Sequence, residues 1–298
     1  MPTMKKTTIT KERISTVVAD ALAEDIGGGD VTAQYTIAMD ARTTAVCTAK
    51  ETTVVCGMSY AKEAFAQVDP RVRFVAHAKD GAVVEKNTKL FTVKGPARGI
   101  VSAERTAINF LGMMSGIATT SRRLQAMVAP YGVTLLDTRK TTPNLRHEEK
   151  YAVATGGASN HRMGLYDMFL LKENHLFAAG IKTAEAIDAV ALWETVRRMK
   201  TETGLKIEVE VENLRELSAA LTCGCDVVML DNFTPAAAKK AVVLRNALSP
   251  DVKLEASGGI TEKSLISFAH TRLDFISMGA LTHAARCADL SLRMDPIR

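Results

Sequence analysis

Between residues 130 and 280 short apolar runs alternate with longer stretches of helical periodicity. The runs are Val133-Thr-Leu-Leu136, Met168-Phe-Leu-Leu171, Lys206-Ile-Glu-Val-Glu-Val211, Asp226-Val-Val-Met-Leu230, Val252-Lys-Leu-Glu-Ala256 and Asp274-Phe-Ile-Ser-Met278. Strands that take turns with helices predict βα units and a parallel sheet, closed into a barrel or left open and doubly wound. A chemically capable group follows each run: Asp137-Thr-Arg-Lys140, Lys172, Glu210, Asp231, Ser257-Gly-Gly259 and Gly279. A barrel brings all these ends to one mouth, whereas an open sheet concentrates its site at a switch point. The barrel accounts better for the distribution, and no GxGxxG follows the first of these strands. Six strands fall short of eight, so an incomplete α/β (TIM-like) barrel is expected.

The pattern before residue 112 differs. A helix over Ile14 to Glu24 leads into β-rich stretches at Thr43 to Val55, Val72 to Ala76 and Leu90 to Val93, with a helix over Ser59 to Val68. The turns Lys79-Asp-Gly81 and Lys94-Gly-Pro96 punctuate them. This predicts an N-terminal α+β domain over 1–112 and a barrel over 113–281. A long helix from Ala103 to Val128, capped by Ser102 and stopped before Pro130, links the two patterns.

Composition narrows the class. With 47% hydrophobic and 24% charged residues among 298, the chain reads as globular. No stretch approaches the ~20 apolar residues of a membrane span. The opening Met1-Pro-Thr-Met-Lys-Lys-Thr-Thr-Ile-Thr10 lacks a signal-peptide core, so a cytoplasmic location is expected. Cys47, Cys56, Cys223, Cys225 and Cys287 lack a zinc-site spacing and read as reduced thiols. The net charge of +5 is dispersed and aromatics are 5%, which suits small anions rather than nucleic acid.

Three clusters carry candidate chemistry. Arg139 and Lys140, ahead of a helix that Thr142 would cap and Pro143 begin, suit a carboxylate or phosphate. A solvated basic loop explains them equally well. His161 and Arg162 follow Gly156-Gly157, and Lys172 closes an apolar strand; together these five would form a cationic mouth. Opposite them, alternation along Lys206-Ile-Glu-Val-Glu-Val-Glu212 puts Glu208, Glu210 and Glu212 on one face, toward the barrel lumen, where carboxylates need partners. Glu210 and Asp231 could hold ribose hydroxyls and, through water, Mg²⁺. Ser257-Gly258-Gly259 before a helix, and Gly279-Ala280-Leu281 after the last strand, match a barrel phosphate site.

Motifs in order along nearly the whole chain resemble the quinolinate phosphoribosyltransferase family. They are Glu24-Asp-Ile-Gly-Gly-Gly-Asp-Val-Thr32, Glu104-Arg-Thr-Ala-Ile-Asn109, Leu136-Asp-Thr-Arg-Lys-Thr-Thr-Pro143, Asn160-His-Arg-Met-Gly-Leu-Tyr-Asp167, Ile207-Glu-Val-Glu-Val-Glu212, Ser257-Gly-Gly-Ile260 and Gly279-Ala-Leu-Thr-His283. The resemblance implies an N-terminal α/β sandwich, an incomplete barrel, and a homodimer in which one subunit's sandwich covers its partner's barrel mouth, with higher oligomers a further option. It also implies that the C-terminal segment 282–298 packs back on the sandwich. Quinolinate would be gripped by Arg105 of the neighbouring subunit with Thr138, Arg139, His161, Arg162 and Lys172. Lys140 would lie near quinolinate and the pyrophosphate of phosphoribosyl pyrophosphate, Glu210 and Asp231 would serve ribose and Mg²⁺, and the two glycine loops would hold the 5′-phosphate. Lys140, Lys172, Glu210 and Asp231 would be the catalytic set, with no organic cofactor. The implied reaction gives nicotinate mononucleotide, pyrophosphate and carbon dioxide in NAD biosynthesis. Three positions depart from the family pattern: Glu173 for Asp, Asn144 for Gly and Ala284 for Ser. Two other activities stay open on the residues, a related transferase of another base and a Schiff-base lyase using Lys172.

Overall fold

The computed structural model describes residues 8–184 and 186–296. In chain order its elements are α1 (Lys11–Ile26), α2 (Val31–Thr36), β1 (Arg42–Ala49), β2 (Thr53–Val54), α3 (Met58–Val68), β3 (Arg73–Ala76), β4 (Val83–Val84), β5 (Lys89–Pro96) and α4 (Ala97–Val128). There follow β6 (Thr134–Leu136), α5 (Arg146–Gly156), β7 (Phe169–Leu171), α6 (Glu173–Ala178), α7 (Ala189–Thr203), β8 (Ile207–Val211) and α8 (Leu214–Thr222). The chain ends with β9 (Val227–Asp231), α9 (Pro235–Leu248), β10 (Lys253–Ser257), α10 (Glu262–Ala269), β11 (Phe275–Ser277) and β12 (Leu290–Met294). Two compact units comprise 8–122, 142–157 and 281–296 in one, and 123–141 and 158–280 in the other.

The first unit is built on an antiparallel sheet of order β12-β1-β5-β3. Alternation along β1 buries Thr43, Ala45, Cys47 and Ala49, so one face of the sheet is apolar and the other open. Phe65 of α3 meets Phe91 edge-on with ring centroids 5.8 Å apart, and Phe74 stacks on Phe91 at 4.6 Å. The C-terminal strand β12 pairs along β1 from Ala45↔Met294 to Ala49↔Leu290. The segment before it runs hard against α4: a Cβ on Gly116 would come within 1.9 Å of the Arg286 carbonyl, and the Ala288 amide donates to Gly112 O at 2.9 Å. Glycine at these positions is what lets the two backbones meet.

Two sequence expectations shift here. Helix α4 begins at Ala97, not Ala103, and Ser102 is not its cap; the Ser102 hydroxyl instead donates to Asp30 at 2.8 Å. Gly99 reads as a helix breaker, yet a Cβ there would fall 2.6 Å from Asp69 Cβ, so packing rather than propensity put glycine in the helix. Helix α5 begins at Arg146, not Pro143. The Thr142 amide donates to Glu149 while Asn144 takes φ +64°, a left-handed turn that asparagine tolerates as glycine would.

The second unit holds the six expected strands as one parallel sheet of order β6-β11-β10-β9-β8-β7. The strand sequence wraps round as in a barrel but lacks two members, and on the open side Leu136 bridges Ser159. The unit is an incomplete α/β barrel. Its helices start where the sequence supplies caps: Asp188, Asn213 and Thr234 accept from the first-turn amides of α7, α8 and α9, and Pro235 takes the first position of α9. Each such cap contributes about 1 kcal/mol. Cys47, Cys56, Cys223 and Cys225 are buried, Cys287 is exposed, and all five are free thiols. No helix of the described residues is long and apolar enough to cross a membrane.

Candidate active site

The strand ends of the barrel unit gather most of the expected residues. Lys172 follows β7, and its Nζ lies 2.6 Å from Oε2 of Glu210 on neighbouring β8. Asp231 ends β9 in register with Ser257 of β10. Burial and then the nearby Glu210 charge raise the Asp231 carboxyl above the usual range, with Lys172 opposing them. Arg139 and Lys140 are exposed after β6, with the Lys140 amide donating to Thr138 Oγ1 at 3.0 Å. Arg162 is buried, and its guanidinium pKa is lowered first by that burial and then by the Arg139 charge, which places two cations within reach of one anion.

His161 takes a different part from the one expected. The Arg162 amide donates to its Nδ1 at 2.7 Å, so the ring proton sits on Nε2, which faces Glu208 Oε2 at 2.9 Å. A backbone N–H cannot face a protonated ring nitrogen, so the imidazole is neutral and does not join the cations as charge. The ring is held from its backbone as well: the His161 amide and the Asn160 side chain donate to buried Asp137 at 2.9 and 2.6 Å. Below it, Glu208 and Glu255 are fully enclosed in the barrel. Burial pushes the Glu208 carboxyl up to about 7, and burial with the facing Glu208 charge pushes Glu255 up to about 8.

The glycine loop after β10 has the backbone of an anion cradle. Gly258 and Gly259 take φ +97° and +59°, and the Asn232 amide donates to Ser257 O at 2.9 Å. A Cβ on Gly258 would lie 2.2 Å from Asn232 Oδ1, so only glycine fits. Gly279–Leu281 forms a 3-10 turn after β11.

Arg105 belongs to the other unit. It is exposed on α4 and lines a hollow of about 950 Å³ with Arg13, Glu24, Asp25, Asn109 and Asn144.

Sequence reasoning assigned no role to Asp137 or Glu255 and left Glu208 without a partner. The available signal was a single acid inside an apolar strand, as in Val252-Lys-Leu-Glu-Ala256, which only a buried partner makes tolerable.

The geometry agrees with what known proteins show. Residues 117–293 match the family model described as quinolinate phosphoribosyl transferase, C-terminal domain, and 30–115 match the N-terminal domain of the same enzyme family. The chain belongs to the quinolinate phosphoribosyltransferase family. Among members, a probable nicotinate-nucleotide pyrophosphorylase (carboxylating) of Bacillus subtilis is 38% identical over 271 residues, covering 90% of this chain and 89% of that one. The chloroplastic nicotinate-nucleotide pyrophosphorylase (carboxylating) of Arabidopsis thaliana is 36% identical, covering 95% and 83%. The solved structure of the nicotinate-nucleotide pyrophosphorylase from Francisella tularensis superposes with a TM-score of 0.88 at 39% identity over 98% of this chain and 99% of that one.

Proposed function

We propose that this chain joins quinolinate to C1 of the ribose of phosphoribosyl pyrophosphate and releases pyrophosphate and carbon dioxide, giving nicotinate mononucleotide for NAD biosynthesis. The observation that carries this reading is the Lys172–Glu210 contact of 2.6 Å with Asp231 beside it, which sets cations for a dianionic ring next to carboxylates for a cationic ribose. Arg139, Arg162 and Lys172 hold the two quinolinate carboxylates, with Arg105 of a partner subunit in a homodimer supplying a further cation. Thr138 and His161 line the same site, His161 as a neutral ring. Lys140 attends the departing pyrophosphate, and the Ser257–Gly259 and Gly279–Leu281 loops take the 5′-phosphate through backbone N–H groups.

As the bond to pyrophosphate breaks, positive charge grows on the ribose, and Glu210 and Asp231 stabilise it. Their mutual repulsion, offset in part by Lys172, fits a hard divalent cation shared through water. Mg²⁺ held by these two residues would supply charge stabilisation for the pyrophosphate. Alkylation of the ring nitrogen then makes the ring an acceptor for the electrons of the adjacent carboxylate, so carbon dioxide leaves without an organic cofactor.

A Schiff-base lyase fits less well, because it needs a neutral Lys172 amine, whereas Lys172 is ion-paired. The deciding experiment is incubation with carboxyl-labelled quinolinate, phosphoribosyl pyrophosphate and Mg²⁺. Labelled carbon dioxide and nicotinate mononucleotide in equal amounts are expected; no product would sink the reading.

A further inference from the structure

Glu208 and Glu255 rise from β8 and β10, with β9 between them, and their carboxyl groups meet inside the barrel. Both are fully enclosed, with the Glu208 and Glu255 side chains each 1% exposed. Oε2 of each acid faces His161 Nε2, at 2.9 Å from Glu208 and 3.6 Å from Glu255. The two remaining oxygens, Glu208 Oε1 and Glu255 Oε1, have no donor, and neither has Ser277 Oγ a partner, although all three are buried. Two bare carboxylates facing one another without donors do not persist in a protein interior.

Either a proton or a metal ion could resolve this, since His161, Glu208 and Glu255 offer three donor atoms within 4.8 Å of one another. The histidine decides between them. Because its Nδ1 accepts the Arg162 amide, its Nε2 carries the proton and has no lone pair for a metal. A single extra proton on Glu255, given to Glu208, provides the missing donor and leaves Glu208 as the ionised acceptor for His161.

We infer that Glu255 is a positioning residue: as a neutral acid it donates to Glu208, Glu208 fixes His161 in its Nε2–H form, and His161 Nδ1 then holds the Arg162 amide. Three hydrogen bonds in series thus run from the barrel interior to the backbone of a cation at the mouth. That Arg162 grips quinolinate rests on the function proposed above; the hydrogen-bond chain does not.

The test uses the full-length protein and three variants. Nitrogen-15 NMR of the wild type reads the His161 tautomer directly, and Nε2–H is expected. Glu255→Gln keeps a neutral donor at the same place, so the tautomer should persist and the quinolinate KM should stay within about twofold. Glu255→Ala removes the donor, and Glu208→Gln sets an amide donor where an acceptor is required. Each should raise the quinolinate KM about tenfold while the KM for phosphoribosyl pyrophosphate moves less than about twofold. Melting temperatures identify any variant that fails simply to fold, and the wild-type tautomer decides in that case. An Nδ1–H ring, a stoichiometric metal in the purified protein, or Glu255→Gln as damaging as Glu255→Ala would each overturn the inference. A wild type with the Nε2–H ring and no turnover of quinolinate would uphold the hydrogen-bond chain and defeat only the functional reading.

Discussion

Lys172 Nζ rests 2.6 Å from Glu210 Oε2 across two adjacent strand ends, so the cation meant for a pyridine carboxylate already leans on the acid meant for ribose. The pair is partly open to solvent, with the lysine side chain 42% exposed, and its strength as a surface ion pair is modest. Its consequence is functional: a carboxylate arriving at Lys172 loosens its hold on Glu210, which links the two halves of the site.

Glu210→Ala and Asp231→Ala should therefore lower kcat by about 10²-fold or more, with a much smaller change in the quinolinate dissociation constant, because their work is done as charge develops. Steady-state kinetics with calorimetric binding checks this. Near-normal turnover at saturating substrates would remove both from the catalytic set.

Quinolinate should be preferred to nicotinate by at least about 10²-fold in kcat/KM, since the monoacid leaves part of a cationic cluster unpaired. Arg139 and buried Arg162 already depress one another's ease of carrying charge, and only a second carboxylate relieves that. Comparable rates in a competition assay would contradict the assignment.

Gly258→Ala should disable the loop after β10. The backbone there has φ +97° and a Cβ would strike Asn232 Oδ1, so alanine forces Asn232 and Ser257 apart. The expected result is a rise of about tenfold or more in the KM for phosphoribosyl pyrophosphate with quinolinate binding little changed. An unaltered KM would place the 5′-phosphate elsewhere.

The Glu255 carboxyl, raised from 4.5 to about 8, sets a pH signature on stability. Between those values the folded chain binds more protons than the unfolded one, so stability falls as pH rises across the window and is level below it. Glu255→Gln has no proton to lose there. Its melting temperature should decline less than that of the wild type from about pH 5 to pH 8. Parallel declines would mean that the proton is held by another group.

Arg105 lies on the unit opposite to the barrel residues in sequence, at an exposed position of α4. If it serves a partner's mouth, inactive Arg105→Ala and inactive Lys172→Ala proteins should regain activity on mixing, up to about a quarter of wild type for random dimers with one intact mouth. Differently tagged chains establish subunit exchange. Verified mixed dimers as inactive as their parents would refute the shared site.

Alternation of apolar runs with helical stretches was enough to determine the six parallel strands, and the polar residue closing each run marked the mouth from Lys172 to Gly279, because a parallel strand's C-terminal end is where the chain leaves the core for the loops. Resemblance along the chain identified the family. What the linear pattern left undecided was which side chains meet. Glu255 is 47 positions from Glu208 and reads like any strand acid until β8, β9 and β10 lie side by side and point both into one interior. The charge of His161 was beyond reach for the same reason: it depends on the proton that a neighbouring amide denies to Nδ1 and an acid across the barrel draws to Nε2. Even the start of α4 was a tertiary matter, since Gly99 weakens a helix by its own propensity and is required by the approach of Asp69. Periodicity is a local property and survives in one dimension. Protonation, ion pairing and close backbone contact depend on distance in space, and only the folded chain sets them.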